Sequence, residues 1–330
     1  MLKVGKVPES VLKRSIIKQI KTKRDEIIIG AGVGEDCAAI KLADDEVFVT
    51  STDPITGTSH DIGALAVHVT ANDIASSGAE VVGVMLSVLL PEGTEEEELR
   101  QMMQQAEEVC ADLNIETVGG HTEVTNVVNQ PVITATGIGK VKKDKIVTTS
   151  GARPGDDVVV TKWIGLEGTS IIAKEHEEEL LKRFSSSFLE TAKGFSEQLS
   201  VVKDAKTAVS VGVTAMHDVT EGGIFGALWE IAEASGCGLE IELLDIPVRQ
   251  ETVEICEYFG INPYGLISSG SMLITAPNGS DVVRSLKQEG INAALIGKVT
   301  KGNDRVLING DERRFLEPPK SDELYKISMG

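Results

Sequence analysis

Residues 46–90 read EVFVTSTDPITGTSHDIGALAVHVTANDIASSGAEVVGVMLSVLL. The run opens on a β-rich stretch over 47–52, crowded with β-branched and aromatic residues. From 61 to 78 the pattern turns helical. Ile62, Leu65, Ala66, Val69 and Ile74 recur at helical spacing, and Asp61 is placed to cap the first turn. Residues 81–90 form an almost unbroken apolar run and predict a buried strand. Strand, helix, strand is the unit of a mixed α/β fold.

The same pattern extends outward. A helix is predicted over 8–20, with Pro8 in its first turn and Val11, Leu12, Ile16, Ile17 and Ile20 roughly on one face. Short strands follow over 26–29 and 38–42. Residues 94–112 are a helix with an acidic outer face that turns Leu99, Met102, Met103, Ala106 and Val109 inward, and 131–141 is another strand. SGARPGD, residues 150–156, concentrates turn formers and marks a domain boundary near 152. Beyond it come a strand over 157–162, a helix starting over 167–175 and a helix over 222–235 carrying Ile224, Phe225, Leu228, Ile231 and Ala232. Strands and helices then alternate over 239–243, 250–259, 272–276, 281–289 and 293–299. Residues 311–330 are polar and proline-bearing and read as a surface extension. The expected class is α/β of the α+β type, in two domains spanning 1–152 and 153–330.

A length of 330 residues agrees with two domains, and 41% hydrophobic with 25% charged residues is an ordinary globular balance. Fifty-one acidic residues against 32 Lys and Arg give a net charge of −19. That excess argues against nucleic acid or an anionic membrane as partner, because phosphate contacts need clustered cations. One small phosphorylated ligand, held by metal ions and backbone amides, stays compatible with it. No apolar run approaches the roughly 20 residues of a membrane span, and the first twenty residues do not read as a signal peptide. Cys37, Cys110, Cys237 and Cys256 are widely spaced and form no CxxC pair, which fits buried thiols in a reducing cytoplasm.

The common nucleotide motifs fail. Gly30, Gly32 and Gly34 give GxGxG, but Glu35 stands in the sixth place of the dinucleotide fingerprint, and no GxxxxGK[ST] occurs. More informative are carboxylates beside strand ends and in apolar segments: Asp36 in GEDCAAI, Asp53 closing EVFVTSTD, Asp73 inside the 61–78 helix, and Glu123 in VGGHTEV. Magnesium takes oxygen ligands, and nucleotide phosphates complete its coordination. Asp36 and Asp53 would equally serve as turn or strand-end residues. Asp73 is costly if buried without a partner, with Asn72 beside it free to face solvent. Gly119 and Gly120, followed by His121 and Thr122, suit close approach to phosphate, although a simple turn uses the same glycines and a lone histidine is more often structural. MHDVTEGGIFGAL sets Asp218, Thr220 and Glu221 before a glycine pair and a helix, whose amino-terminal amides suit an anion, or simply a capped helix. Lys162 reads as a solvated lysine sooner than a phosphate ligand.

Six segments in order, GEDCAAI (34–40), STDPITG (51–57), IGALAVHVTANDIASSGA (62–79), VGGHTEV (118–124), KWIGLEGTSIIA (162–173) and MHDVTEGGIFGAL (216–228), resemble the AIR synthetase superfamily. The resemblance implies two α/β domains, the first joining a second copy's to close a shared β-barrel in a homodimer. It implies ATP with Mg2+, the metal carboxylates falling on Asp36, Asp53 and Asp73 with Glu123 as a further candidate, and the nucleotide side on Gly119, Gly120, His121 and Thr122. His121 departs from the pattern, standing where several members carry an acid. Asp218 matches the acidic residue facing nucleotide or substrate, and His121 and Asp218 are the catalytic candidates. The last cysteine is Cys256 and the sequence closes Ile327-Ser328-Met329-Gly330, so the terminal-thiol chemistry of HypE members is not expected. The resulting expectation is a HypE-like, cytoplasmic, ATP-dependent enzyme phosphorylating an amide or carbonyl oxygen of a free small substrate, with a maturation-type protein as a further partner. A small-molecule kinase resembling thiamine-monophosphate kinase and a non-catalytic nucleotide-binding assembly factor are the alternatives.

Overall fold

The structure, a computed structural model, describes residues 5–6, 8–31, 38–56, 60–318 and 321–327. These form two compact units, one within residues 1–75 and 79–146, the other within 76–78 and 147–330.

The first unit is built on β1 (Gly5–Lys6), β4 (Glu46–Ile55), β5 (Glu80–Leu90), β6 (Glu116–Val124) and β7 (Val132–Lys142), in the spatial order β1-β6-β5-β7-β4. Only β5 and β6 pair in parallel; the other neighbours are antiparallel. A parallel pair needs a crossover, which α3 (Glu96–Leu113) supplies. Along β5, Val84, Leu86, Val88 and Leu90 are buried while Met85 and Ser87 are exposed, the alternation of a sheet covered on one side. Helix α2 (Ile62–Ser76) covers that side over β7. A Cβ on Gly137 would lie 2.5 Å from Thr70 Cγ2, and one on Gly139 would lie 2.4 Å from Ile74 Cγ2. Helix α3 buries Leu99, Met102, Met103, Ala106 and Val109 as its spacing predicts, behind a Glu95–Glu98 capping box. On the other side, the small ribbon of β2 (Ile27–Ile29) and β3 (Ala39–Ile40) covers Val82, Val118 and Ile138. Phe48 and Met85 on the remainder of that face are exposed, and among the described residues the strands close no barrel.

The helix expected over 8–20 forms over 9–17 and ends three residues early. One turn, α1 (Glu9–Val11), runs into a π-helical turn over Leu12–Ile17 with Lys18 N donating to Lys13 O, and 18–24 is non-helical. The cause is competition from the neighbouring helix. Arg14 and Ser15 bind Glu96, and the amides of Lys21 and Thr22 both donate to Glu107 instead of continuing a helix.

The second unit holds seven strands in the order β14-β13-β10-β12-β8-β11-β9. They are β8 (Asp157–Thr161), β9 (Ala215–Val219), β10 (Gly238–Glu242), β11 (Ser271–Ala276), β12 (Ala293–Thr300), β13 (Arg305–Asn309) and β14 (Glu312–Phe315). Helix α8 (Gly223–Ser235) packs Ile224, Leu228 and Ile231 with Val158, Val160 and Leu273. A second cluster joins α4 (Leu166–Glu175), α5 (Glu177–Leu180), α6 (Ser186–Lys193) and α9 (Gln250–Phe259). Helices α7 (Val202–Val211) and α10 (Gly279–Gln288) complete the unit. The tail is no surface extension. β14 pairs with β13, and Leu316, Leu324 and Ile327 are buried, the last two against Ile255, Cys256 and Leu266.

Candidate functional site

Asp53 lies on β4 opposite the buried Ala135, so it faces the helical side of the sheet. Asp73 comes down from α2 to meet it. Ser51, two residues before Asp53 on the same face, donates its hydroxyl to Asp73 Oδ2 at 2.5 Å and lies 3.3 Å from Asp53 Oδ2. A hydroxyl has one proton, so Ser51 commits it to Asp73 at the shorter distance, with the half-buried Asp53 carboxylate beside that bond. Ser51 was not singled out in the sequence; the signal was its place two before Asp53 on a strand. Asn72 does not face solvent. It is fully buried, and Asp73 takes the half-exposed position. Asp36 falls outside the described residues. Among the described residues no group of three or more His, Cys, Asp or Glu is placed to hold a metal ion.

Gly119 to Glu123 lie on β6. His121 pairs in register with Ser87, and Gly120 with Leu86. Since Leu86 also pairs with Ala135, which opposes Asp53, His121 falls in the neighbouring row and on the other, open face. There its Nε2 lies 3.2 Å from Glu123 Oε2. The structure therefore brings Asp53 to Asp73 and His121 to Glu123, as two separate pairs. The two glycines also differ. Gly120 has φ +150°, and a Cβ on it would sit 2.0 Å from the Leu86 carbonyl oxygen, so sheet packing alone demands glycine. A Cβ on Gly119 would meet only Met85 Cε at 3.6 Å, which leaves its backbone open to approach. A cavity of about 120 Å³ adjoins these glycines and the buried Thr122, roofed by Leu12, Ile16 and Ile20 of the amino-terminal segment.

In the second unit Asp218 is buried on β9. Glu167, in the first turn of α4, is buried too and accepts from Ser269 N at 3.2 Å. Burial pushes its carboxyl up to about 7, with the charges of Asp322 and Asp218 adding to the rise against the Ser269 hydrogen bonds. The α8 amino terminus is not left for an external anion, because Asp322 of the tail takes it. Its carboxylate accepts from Gly222 N at 2.7 Å, Leu324 N at 2.8 Å and Ile267 N at 3.2 Å. Burial nevertheless raises the Asp322 pKa, helped by the charge of Glu221. Glu167 and Asp322 were both missed. An acid among buried helix neighbours was the available signal for Glu167, and an Asp before the short ELYK helix was the signal for Asp322. Lys162 is not solvated: it sits at φ +55°, buried, with Nζ donating to Ser200 O at 2.5 Å and lying 3.1 Å from Asp204 Oδ1. Cys110, Cys237 and Cys256 are buried free thiols, and burial pushes Cys110 and Cys256 up to about 12. Cys37 and Ser328 fall outside the described residues.

Two family models match the chain: "AIR synthase related protein, N-terminal domain" over residues 34–141 and "AIR synthase related protein, C-terminal domain" over 153–309. A putative hydrogenase expression/formation protein of Methanocaldococcus jannaschii is 29% identical, covering 98% of this chain and 97% of that protein. The carbamoyl dehydratase HypE of Rhodobacter capsulatus is 28% identical over 81% of this chain and 77% of its own length. Among solved structures, the hydrogenase maturation protein HypE in complex with ATP superimposes with a TM-score of 0.81 at 22% identity, covering 97% of each chain. HypE in its complex with HypF gives 0.72 at 23%, covering 82% of this chain and 90% of that one. At those identities the two structures speak for the fold.

Proposed function

The chain belongs to the AIR synthase-related family, carrying both its amino- and carboxyl-terminal domains, and from that membership we propose a Mg-ATP-dependent enzyme that phosphorylates an amide- or carbonyl-type oxygen of a small substrate. The observation that carries the reading is the meeting of Asp53 and Asp73 over the single Ser51 proton. Two carboxylates from different elements, with one hydroxyl proton between them, are an oxygen donor set suited to a hard divalent cation. Bound there, magnesium would neutralise charge on the transferring phosphate. Asp53 and Asp73 would hold it, and Ser51 would fix the Asp73 carboxylate. The half-buried Gly119 backbone, with only Met85 Cε near the place of a Cβ, admits a phosphate closely, and Glu123 steadies the His121 ring on the open face. Asp218 is the candidate polar group on the substrate side, and residues 1–152 and 153–330 are the proposed nucleotide-binding and companion domains.

Three further parts of the reading rest on specific observations. The open face with Phe48 and Met85 supports a homodimer, a second copy covering the sheet. The buried, protonated thiols of Cys110, Cys237 and Cys256 favour a free substrate over a group carried on one of them, which sets the chain apart from a carbamoyl carrier. The complex of HypE with HypF supports a maturation-type protein partner here. Free thiols fit a cytoplasmic setting, and among the described residues no helix is long and apolar enough to cross a membrane.

The test is titration calorimetry with Mg-ATP alongside ATP turnover. Asp53→Asn and Asp73→Asn should each weaken binding by about tenfold or more, the scale of a lost charge-assisted contact. They should leave melting unchanged or raised, because a like-charge pair is relieved. Unchanged affinity in both variants would overturn the assignment. Tight binding with no turnover on any amide or carbonyl substrate would favour the assembly-factor reading.

A further inference from the structure

We propose that the outer edge of β14 docks an extended segment of another protein, which adds a strand to the sheet and sends alternate side chains into two cavities beside β14. Nothing in it depends on phosphoryl transfer. β14 stands last in the sheet order, and among the described residues β13 is its only strand partner. All four of its residues are exposed. Leu316 N donates to Arg305 O at 2.8 Å, which fixes the alternation of the antiparallel ladder. Counted back from that bonded pair, Arg314 opposite Leu307 and Glu312 opposite Asn309 are the other bonded positions. The N–H and C=O groups of Arg313 and Phe315 therefore point away from β13, toward the open edge.

An edge strand is ordinarily guarded by charged side chains that project past it. Here both arginines turn inward. Arg313 binds Glu240 on β10, two strands into the sheet. The Arg314 guanidinium carbon lies 5.9 Å from the centroid of Phe225 on α8. The edge is left to its backbone groups.

The cavities supply the second half of the site. One of about 610 Å³ has Phe225, Leu307 and Leu316 among its walls, toward the end of β14. Another of about 320 Å³ is lined by Leu243, Leu307, Asn309 and Glu312, toward its start. Arg314 borders both. Side chains two residues apart on a strand share a face and stand about 7 Å apart. An added strand thus offers one side chain to each cavity, on either side of Arg314. In strand addition the main chain supplies affinity, and such pockets supply the sequence preference. The partner is therefore an extended segment with a large apolar side chain for the wider cavity and a smaller one two residues away.

The experiment selects peptides from a random nonapeptide phage library against the full chain, then follows amide exchange by NMR with the best-enriched peptide. Enriched sequences should carry apolar residues at i and i+2 and lack proline. The peptide should slow exchange of the Arg313 and Phe315 amides about tenfold or more, with little change at Glu312 and Arg314, which β13 already holds. Phe315→Pro should weaken binding about tenfold or more, and Phe315→Leu by less than about twofold, because proline lacks only an outward amide. Where the proline variant melts early, N-methylation of alternate peptide residues makes the same cut from the other side. One of its two patterns should abolish binding and the other should not. No enrichment, peptides that leave the Arg313 and Phe315 amides unprotected, or binding that survives both the proline and both methylation patterns would overturn the site. So would a dimer in light scattering that Phe315→Pro breaks, since a second copy would then hold the edge.

Discussion

Gly119 and Gly120 are chemically identical, yet the sheet uses them differently. Gly120→Ala should cost about 3 kcal/mol or more, because the new methyl would press on the Leu86 carbonyl and the backbone angle disfavours any Cβ; urea unfolding measures it. Gly119→Ala should leave stability within about 0.5 kcal/mol but weaken Mg-ATP binding if phosphate approaches there. Glu167 makes a second claim at this scale. Its carboxyl is raised from 4.5 to about 7 in the folded chain, so the folded state holds a proton that the unfolded state has released. Its contribution is fully present below pH 4.5, is lost as pH rises from there to 7, and does not change further above 7. The loss is on the order of 3 kcal/mol. Glu167→Gln should flatten this part of the stability–pH profile, and parallel urea curves at pH 5 and pH 8 would show whether it does. Asp53 and Asp73 were readable as candidates because a carboxylate in an apolar segment is conspicuous. Their meeting through Ser51 was not readable, since it depends on how α2 lies across β4.

At the scale of elements, periodicity carried the reading wherever one face was buried. Residues 46–90 and the α3 helix follow their patterns because alternation and helical spacing are both direct images of a covered side. The tail shows where this fails. Leu316, Leu324 and Ile327 are isolated apolar residues in a polar stretch, and three anchors far apart leave no period to detect. The amino-terminal segment departs in the opposite way, its helical spacing cut off after residue 17 where Glu107 of α3 takes the Lys21 and Thr22 amides. Residues 177–211, which fold as α5 to α7, mix charges and small residues too evenly to show a face. Replacing Leu324 and Ile327 together by Ala should cost about 4 kcal/mol or more. It should also expose Cys256 to thiol reagents, a readout that labelling kinetics follows in the folded protein.

For the whole molecule, the open face of the first sheet makes the assembly testable. Phe48→Glu with Met85→Glu should convert a dimer mass to a monomer mass in light scattering, with little loss of subunit stability because both side chains are exposed. A parent protein that is already monomeric at micromolar concentration would remove the proposed interface. The sheet order also sets a timetable for synthesis. Among the described residues β4 pairs along its length only with β7, and Thr50, midway along it, bonds to Gly137, 87 positions later. At about 5–20 residues per second on the ribosome, β4 emerges and waits roughly 4–17 seconds before its neighbour exists. During that interval a strand bearing Val47, Phe48 and Val49 is an unpaired edge on a nascent chain. Slow translation between β4 and β7 should therefore lengthen the exposure to chaperone capture, and a growing chain stalled near residue 130 should be held by chaperones far more than one stalled after residue 180.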